Sequence, residues 1–388
     1  MDISIVGVLN DQGGTERRVT LVPDTVRRLA RDHLSVVVER GAGEGAGYSD
    51  SDYVAAGARV AARPQVLDQA DVILTLSAPS ADDERSLRPG QVVIGMLSAC
   101  RQPETVARLA GQGVIGVSLD CMPRTVSRAQ AMDVLTSQAS LAGYKAALVA
   151  ADAFGRYFPM MITAAGTSRP ASVLVLGAGV AGLSALATAR RLGAVVTGYD
   201  VRPEARSEIE SMGAKVLGLG QAVEGGGEGG YARALTAAEQ EAERQELEGR
   251  LGAFDVIITT AAVPGARPPL LISAGALAGM RRGSIVVDMA AGPHGGNVEG
   301  SVPGSAVTTD LGVTVIGASD LPSRVPGAAS DALSQNMAAV LHLLVKDHQL
   351  NLDPEDEIQR AIVFAPAPVE PKGHPDPQEE SDERLAAI

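Results

Sequence analysis

The sequence predicts an α/β protein: two Rossmann-like, doubly wound parallel-sheet domains linked by long helices. Three observations carry this expectation. Residues 3 to 119 alternate short Val/Ile/Leu runs with short helical patterns, as strands of a parallel sheet covered on both faces do. A second strand–helix series begins at Ser172. Two long helical patterns stand apart from both series, at 131–154 and from Ser330 to Asp347. A chain of 388 residues is also too long for one ordinary core. Aromatic residues make up 3%, so Val, Ala and Leu must fill the interior.

In order along the chain, "ISIVGV" reads as a strand, "PDTVRRLARD" as a helix, "LSVVVE" as a strand and "DSDYVAAG" as a short helix. "DVILTL" and "QVVIGML" are strands, "PETVARLAGQ" a helix and "GVIGVSL" a strand. The pattern "AMDVLTSQASLAGYKAALVAADAF" leaves the first domain and enters the second. There "SVLVLGAG", "AVVTGYDV", "AKVLGL", "FDVIITTA", "GSIVVDMA" and "GVTVIGAS" are strands. "VAGLSALATARRLG", "PEARSEIESMG" and "PLLISAGALAGM" supply helices. The last helix, "SDALSQNMAAVLHLLVKD", is expected to return to the first domain. The domains are therefore 1–132 plus about 320–350, discontinuous, and 133–319. Residues 353–388 hold ten acids and three bases among many prolines and predict a flexible tail. The Gly-rich insert from Ala222 to Arg250 reads as a surface loop running into a polar helix. A solvated linker explains its composition, and so does a lid with Tyr231 touching a planar ligand.

Composition excludes several classes. A net charge of −13 argues against nucleic acid as a partner. Cys100 and Cys121 lack any paired spacing and read as buried thiols of a reducing compartment. The start "MDISIVGVLN" has no basic region and is not expected to be a signal peptide. Pro170 to Ala189 is uncharged and long enough to span a membrane. Its glycine cluster, between a β-branched strand and an Ala-rich helix, favours a buried strand–turn–helix instead.

That cluster is the clearest motif: Gly177-Ala178-Gly179-Val180-Ala181-Gly182, with Asp200 ending the next strand. Gly177 allows a tight turn, Gly179 lets backbone approach a pyrophosphate, and Gly182 lets the helix pack close to the sheet. The phosphates then meet unpaired N–H groups at the helix start. A carboxylate at Asp200 suits two ribose hydroxyls and repels a 2′-phosphate, which favours NAD(H) over NADP(H). Arg202 pulls the other way, because an arginine there suits a 2′-phosphate.

The second constellation is "PRTVSRAQAMDV". Arg124 and Asp133 are placed to form an ion pair, Gln130 to bond a ribose hydroxyl or a carboxamide, and Thr136 to add a hydroxyl. Asp133 also fits a plain helix N-terminal charge, and Arg128 a plain surface arginine. The stretch has no lysine, histidine or cysteine.

These residues carry a resemblance. "MPRTVSRAQAMDVLTSQASLAGY", the glycine-loop block, "IITTAAVPG", "GSIVVDMA" and "LPSRVPGAASDALSQNM" resemble the soluble NAD(H)-binding domain of proton-translocating NAD(P) transhydrogenase, in its separate alpha-subunit form. The resemblance covers about residues 3 to 348. It implies that NAD(H) binds here and hands a hydride directly to NADP+ held on a partner subunit. Membrane-embedded subunits, including the NADP(H)-binding domain, would couple the transfer to proton movement. It assigns Arg124, Gln130, Asp133 and Thr136 to the junction of the two nicotinamides. Ala178, Val180, Ala181, Val201, Arg202, Tyr231, Thr260 and Ala261 join the glycines and Asp200 at the nucleotide. It further implies a homodimer with no membrane span of its own, cytoplasmic and peripheral to the inner membrane. No metal is implied. A hydride passing between two rings releases no proton into the site, so fixed polar groups suffice.

The N-terminal third, including "GAGEGAGYSD", is shared with alanine dehydrogenase, the first alternative. That chemistry needs a lysine and a histidine in the first domain. Thr75 and Ser77 stand where the lysine would fall, and Met96, Leu97 and Ser98 where the histidine would. No lysine precedes Lys145, and no histidine lies between His33 and His294. A second alternative is an NAD-binding regulatory paralogue. Two departures from the family pattern point to it: transhydrogenases also keep a basic or His residue in those strands, and "MAAGPHGGN" replaces a more acidic stretch.

Overall fold

The computed structural model describes residues 2–219, 236–261 and 267–366. The first series gives strands β1 (Ile5–Val8), β2 (Ser35–Glu39), β3 (Arg59–Ala61), β4 (Val72–Ser77), β5 (Val92–Met96) and β6 (Ile115–Ser118). Between them lie α1 (Pro23–Arg31), α2 (Asp50–Ala55), α3 (Arg63–Gln69), α4 (Ala81–Ser86) and α5 (Pro103–Gly111). β3, α3 and α4 were not predicted. They are short, and α4 is the polar stretch "ADDERS", held by a Ser80 N-cap whose side chain accepts from the Asp83 N–H.

A 3-10 segment, Ser127–Met132, leads into α6 (Val134–Ala153). A hairpin follows, β7 (Met161–Thr163) and β8 (Gly166–Ser168). The second sheet then forms from β9 (Ser172–Leu176), β10 (Val195–Tyr199), β11 (Lys215–Val216), β12 (Val256–Thr259), β13 (Ile285–Asp288), β14 (Ala306–Thr308) and β15 (Thr314–Gly317). Its helices are α7 (Val180–Arg191), α8 (Ala205–Ser211), α9 (Ala237–Leu251) and α10 (Ala274–Ala278). Its order is β11-β10-β9-β12-β13-β15-β14, parallel except for the edge strand β14. β9 lies between β10 and β12, so the strand order reverses beside it. The crevice at the carboxyl ends of β9 and β12 is where such sheets bind ligands.

The chain then returns. α11 (Pro326–Leu344) buries Leu333, Met337, Val340, Leu341 and Leu344 in the core of the first sheet, as its apolar spacing predicts. β16 (Val345–Lys346) and β17 (Gln349–Leu350) make a small hairpin. The expected flexible tail is corrected here for residues 353–366. Asp356 caps α12 (Glu357–Ile362), Ile358 and Ile362 are buried, and β18 (Val363–Phe364) pairs antiparallel with β6. The Pro and acid content hid two apolar anchors one helical turn apart. Residues 367–388 lie outside the described residues, as does the glycine-rich part of the insert, 222–235.

The first sheet runs β18-β6-β5-β4-β1-β2-β3 and has its own reversal point between β1 and β4. Side chains of the chain fill that crevice. Asp11 accepts from the Leu76 N–H at 2.7 Å and the Thr75 hydroxyl at 3.1 Å. Arg63 donates to both oxygens of Asp83 at 2.8 Å, to Glu39 at 2.8 Å and to the Asn10 carbonyl at 3.1 Å. Burial pushes the Asp11 carboxyl up to about 6, although the Leu76 N–H, the Thr75 hydroxyl and Arg63 all oppose the rise.

The cysteine expectation is also corrected. Cys100 and Cys121 form a disulfide, with Cα atoms 6.2 Å apart. β5 and β6 are parallel neighbours, and each cysteine follows the end of one of them. A separation of 21 in sequence thus becomes adjacency in space. The apolar run 170–189 divides into β9 and α7, and among the described residues no helix is long and apolar enough to cross a membrane.

Candidate functional site

The glycine loop joins β9 to α7. Gly177 has φ +96°, and a Cβ there would meet the Thr260 hydroxyl at 2.6 Å. A Cβ on Gly182 would stand 1.8 Å from the Gly177 carbonyl, so this glycine seats α7 against the sheet. A Cβ on Gly179 meets nothing within 4 Å. Protein packing asks for glycine at 177 and 182 but not at 179, which faces open space. No side chain caps α7, whose first residues are Val180 and Ala181. The N–H groups of its first turn keep their donors for a ligand. Ala178 is buried in the second core, and its N–H donates to Asp200 Oδ2 at 2.7 Å.

Asp200 also accepts from the backbone N–H of Arg202 at 2.9 Å and from its Nε at 3.0 Å, while Arg202 donates to the Ala178 carbonyl. The bond to Asp200 raises the Arg202 guanidinium above its usual range, against burial. Acid and base are thus one unit folded onto the glycine loop, with the half-buried Val201 between them. Thr260 donates through its backbone to the Leu176 carbonyl at 2.8 Å and through its hydroxyl to Gly177 at 2.9 Å. The Ala261 carbonyl accepts from the buried Asn297 at 2.8 Å. Tyr231 lies outside the described residues.

The polar loop is built at the start of α6. Asp133 is the N-cap: its Oδ1 accepts from the Thr136 N–H at 2.9 Å. Its Oδ2 accepts from Arg124 Nε at 3.2 Å and from the Thr136 hydroxyl at 2.5 Å, and Arg124 in turn donates to that hydroxyl at 2.9 Å. The ion pair and the plain helix cap are therefore both present on one carboxylate. Asp133 is 8% and Arg124 29% exposed at the side chain, so the pair is half-screened from water. Gln130 is exposed in the 3-10 segment, and its carboxamide bonds no group among the described residues. Arg128 is a surface arginine, paired with Asp356 at 2.8 Å.

Sequence reasoning missed the residues that hold this loop. Asn336 on α11 donates to the Ala131 carbonyl at 2.8 Å and accepts from Ser137 at 2.7 Å. Gln138 donates to the Ala329 carbonyl at 3.0 Å and accepts from Arg18 at 2.9 Å. Gly143 lets α6 touch α7: a Cβ there would lie 1.9 Å from the Ala181 carbonyl. Polar residues inside apolar helical stripes, at 336 and 138, were the available signal. Through the 143–181 contact, one helix carries the Asp133 cluster and also braces the start of the glycine loop's helix. Among the described residues no group of three or more His, Cys, Asp or Glu is placed to hold a metal.

Residues 7–142 match the N-terminal domain, and 146–367 the C-terminal domain, of alanine dehydrogenase/PNT proteins. The chain belongs to the alanine dehydrogenase/PNT family. Within that family it is 38% identical to NAD(P) transhydrogenase subunit alpha of Haemophilus influenzae, over 92% of this chain and 70% of that one. It is also 38% identical to an NAD(P) transhydrogenase subunit alpha chain of Rhodospirillum rubrum, over 88% and 91%. Alanine dehydrogenase of Mycobacterium tuberculosis is 30% identical, over 87% of each chain. Among solved structures, transhydrogenase from Sinorhizobium meliloti superposes with a TM-score of 0.84 at 37% identity, over 94% of this chain and 100% of that one. An L-alanine dehydrogenase gives 0.69 at 25%, over 89% and 96%. The two Rossmann-like sheets are thus those of the family, and its transhydrogenase members are the nearer in identity of these relatives.

Proposed function

We propose that this chain is the NAD(H)-binding alpha subunit of a proton-translocating NAD(P)+ transhydrogenase, passing a hydride directly from NADH to NADP+ on a partner subunit. The observation that carries the reading is the Arg124–Asp133–Thr136 cluster, with the exposed Gln130 three positions before Asp133, at the start of the helix that braces the glycine loop's helix. Both oxygens of the Asp133 carboxylate are engaged by Arg124 and Thr136, an arrangement that positions groups, and direct ring-to-ring transfer asks for no proton relay. The crevice fits a dinucleotide: open space at Gly179, uncapped N–H donors on α7, and a carboxylate at Asp200.

In this reading the nicotinamide supplies the hydride donor and acceptor chemistry when bound. The chain's own residues hold and orient. The α7 N–H groups and Gly179 take the pyrophosphate, Asp200 takes the ribose hydroxyls, and Arg202 keeps Asp200 turned toward the glycine loop. Thr260, Ala261 and Val201 flank the crevice. Arg124, fixed by Asp133 and Thr136, and Gln130 position the reacting end. A division into 1–132 plus about 320–350 and 133–319 is supported by the two separate seven-stranded sheets. NADP(H) belongs to a membrane-associated partner, and this subunit then sits in the cytoplasm at the inner membrane. Homodimerisation is supported by the exposed Ile162 of the β7–β8 hairpin and the nearby Met160.

An alanine dehydrogenase activity is disfavoured by Thr75, whose hydroxyl is engaged with Asp11, and by the absence of histidine near Ser98. A regulatory, non-catalytic role predicts binding without transfer. The test is to mix this chain with an isolated transhydrogenase NADP(H)-binding domain and follow reduction of an NAD analogue by NADH with NADP(H) present. Transfer is expected, with no turnover of alanine or pyruvate. Absence of transfer, or robust alanine oxidation, overturns the proposal.

A further inference from the structure

We infer that Cys100 and Cys121 are a reversible thiol–disulfide site that controls how firmly the Arg124 segment is held. Cys100 is exposed, at the apex of a tight turn after β5 in which the N–H groups of Arg101 and Gln102 both donate to the Ser98 carbonyl. Cys121 is half-buried and three residues before Arg124. Between them, Met122 is anchored in the first core and Pro123 has a fixed φ. The disulfide and Met122 are therefore the two anchors at the start of the segment that ends at Asp133.

The same two loops are also tied by weaker bonds. Asp120 accepts from the Ser98 N–H at 3.1 Å and from the Ser118 hydroxyl at 2.6 Å, and the Ala99 N–H donates to Ser118 at 3.2 Å. Ser98 stands at φ +60°, a left-handed position this bonding holds. These bonds keep the two sulfurs near each other when the covalent link is open, which makes closure intramolecular and fast.

The chemistry balances with a low-molecular-weight disulfide as oxidant. The Cys100 thiolate, the accessible one, attacks it, forms a mixed disulfide and releases one small thiol. The Cys121 thiolate then displaces the second small thiol and forms the Cys100–Cys121 bond. Two electrons and two protons leave the protein as two small thiols, and a small dithiol reverses the step.

The catalytic part of this inference rests on the function proposed above; the structural part does not. The full chain is equilibrated with glutathione disulfide or with dithiothreitol, and three quantities are read. Thiol titration of the denatured chain is expected to find none after the first treatment and both cysteines after the second. Amide exchange in residues 119–130 is expected to rise by about fivefold on reduction, with β1 and β2 unchanged. Hydride transfer to the partner domain is expected to fall about fivefold while NADH affinity stays within roughly twofold, a split that general unfolding would not give. A Cys100→Ser, Cys121→Ser variant should match the reduced state under both treatments. Free thiols persisting in glutathione disulfide, or exchange in 119–130 indifferent to reduction, overturns the inference. If the oxidised chain transfers no hydride at all, the proposed function fails, and the exchange result still decides the redox site.

Discussion

Asp133 serves two ends with one carboxylate, Oδ1 capping α6 and Oδ2 holding Arg124 and Thr136. The Gln130 side chain, three positions earlier, bonds no group among the described residues, while the residue's backbone carbonyl accepts from the Asp133 N–H. The two sites should therefore respond differently to substitution. Gln130→Asn shortens the side chain by one methylene and should slow hydride transfer by on the order of tenfold, because small displacements of a positioning group are costly. NADH affinity and thermal midpoint should hold, measured by fluorescence titration and calorimetry; an unchanged transfer rate would remove Gln130 from the site. At the nucleotide, Asp200→Asn keeps an acceptor for the Ala178 N–H but drops the charge and releases Arg202. NADPH affinity should rise relative to NADH by on the order of tenfold. Equal discrimination in wild type and variant would sink the assignment of Asp200.

The glycines of the strand–turn–helix element separate packing from binding. Gly143→Ala drives a methyl into the Ala181 carbonyl, and helices α6 and α7 must part. A loss of about 1–3 kcal/mol in unfolding free energy is expected. Gly179→Ala meets no protein atom and sits at φ −73°, so stability should change by less than about 0.5 kcal/mol while NADH affinity falls. Urea denaturation and NADH titration of both variants check the pair, and a Gly179→Ala that binds NADH normally would contradict the pyrophosphate assignment. This is also the element the sequence made most legible. A β-branched run, three spaced glycines and an Ala-rich helix leave one arrangement that buries everything. Gly143 was not legible, because its need arises from α7, whose Ala181 lies 38 positions further along the sequence. The disulfide escaped for a similar reason: its spacing only has meaning once β5 and β6 lie side by side. Residues 353–366 depart from the expected flexible tail because composition describes an average, whereas Ile358 and Ile362 act individually.

Across the whole molecule the first sheet contributes a pH dependence through Asp11. Its folded pKa lies above the ordinary aspartate range, at about 6, so the folded chain holds that proton more tightly than the unfolded one. The stabilising contribution is complete below about pH 4 and disappears as pH rises through about 6. Asp11→Asn, which cannot titrate, should gain on wild type between those values, by no more than about 3 kcal/mol. Urea midpoints measured from pH 4 to 7 on both proteins check this; parallel curves would show that Asp11 does not carry the effect. Hydrophobic patterning predicted both sheets and the returning helix, since burial of Val, Ile and Leu decides where strands lie. It could not predict which crevice stays open, because that depends on polar side chains meeting across four loops.

Asp11 and Arg63 occupy, in the N-terminal sheet, the very place where the C-terminal sheet leaves room beside Gly179. Duplicate architecture thus does not mean duplicate capacity. An isothermal calorimetric titration with NADH should saturate at a single equivalent per polypeptide, and the occupied half of the molecule is left to act as a rigid mount from which α6 and α11 hold the working half in register.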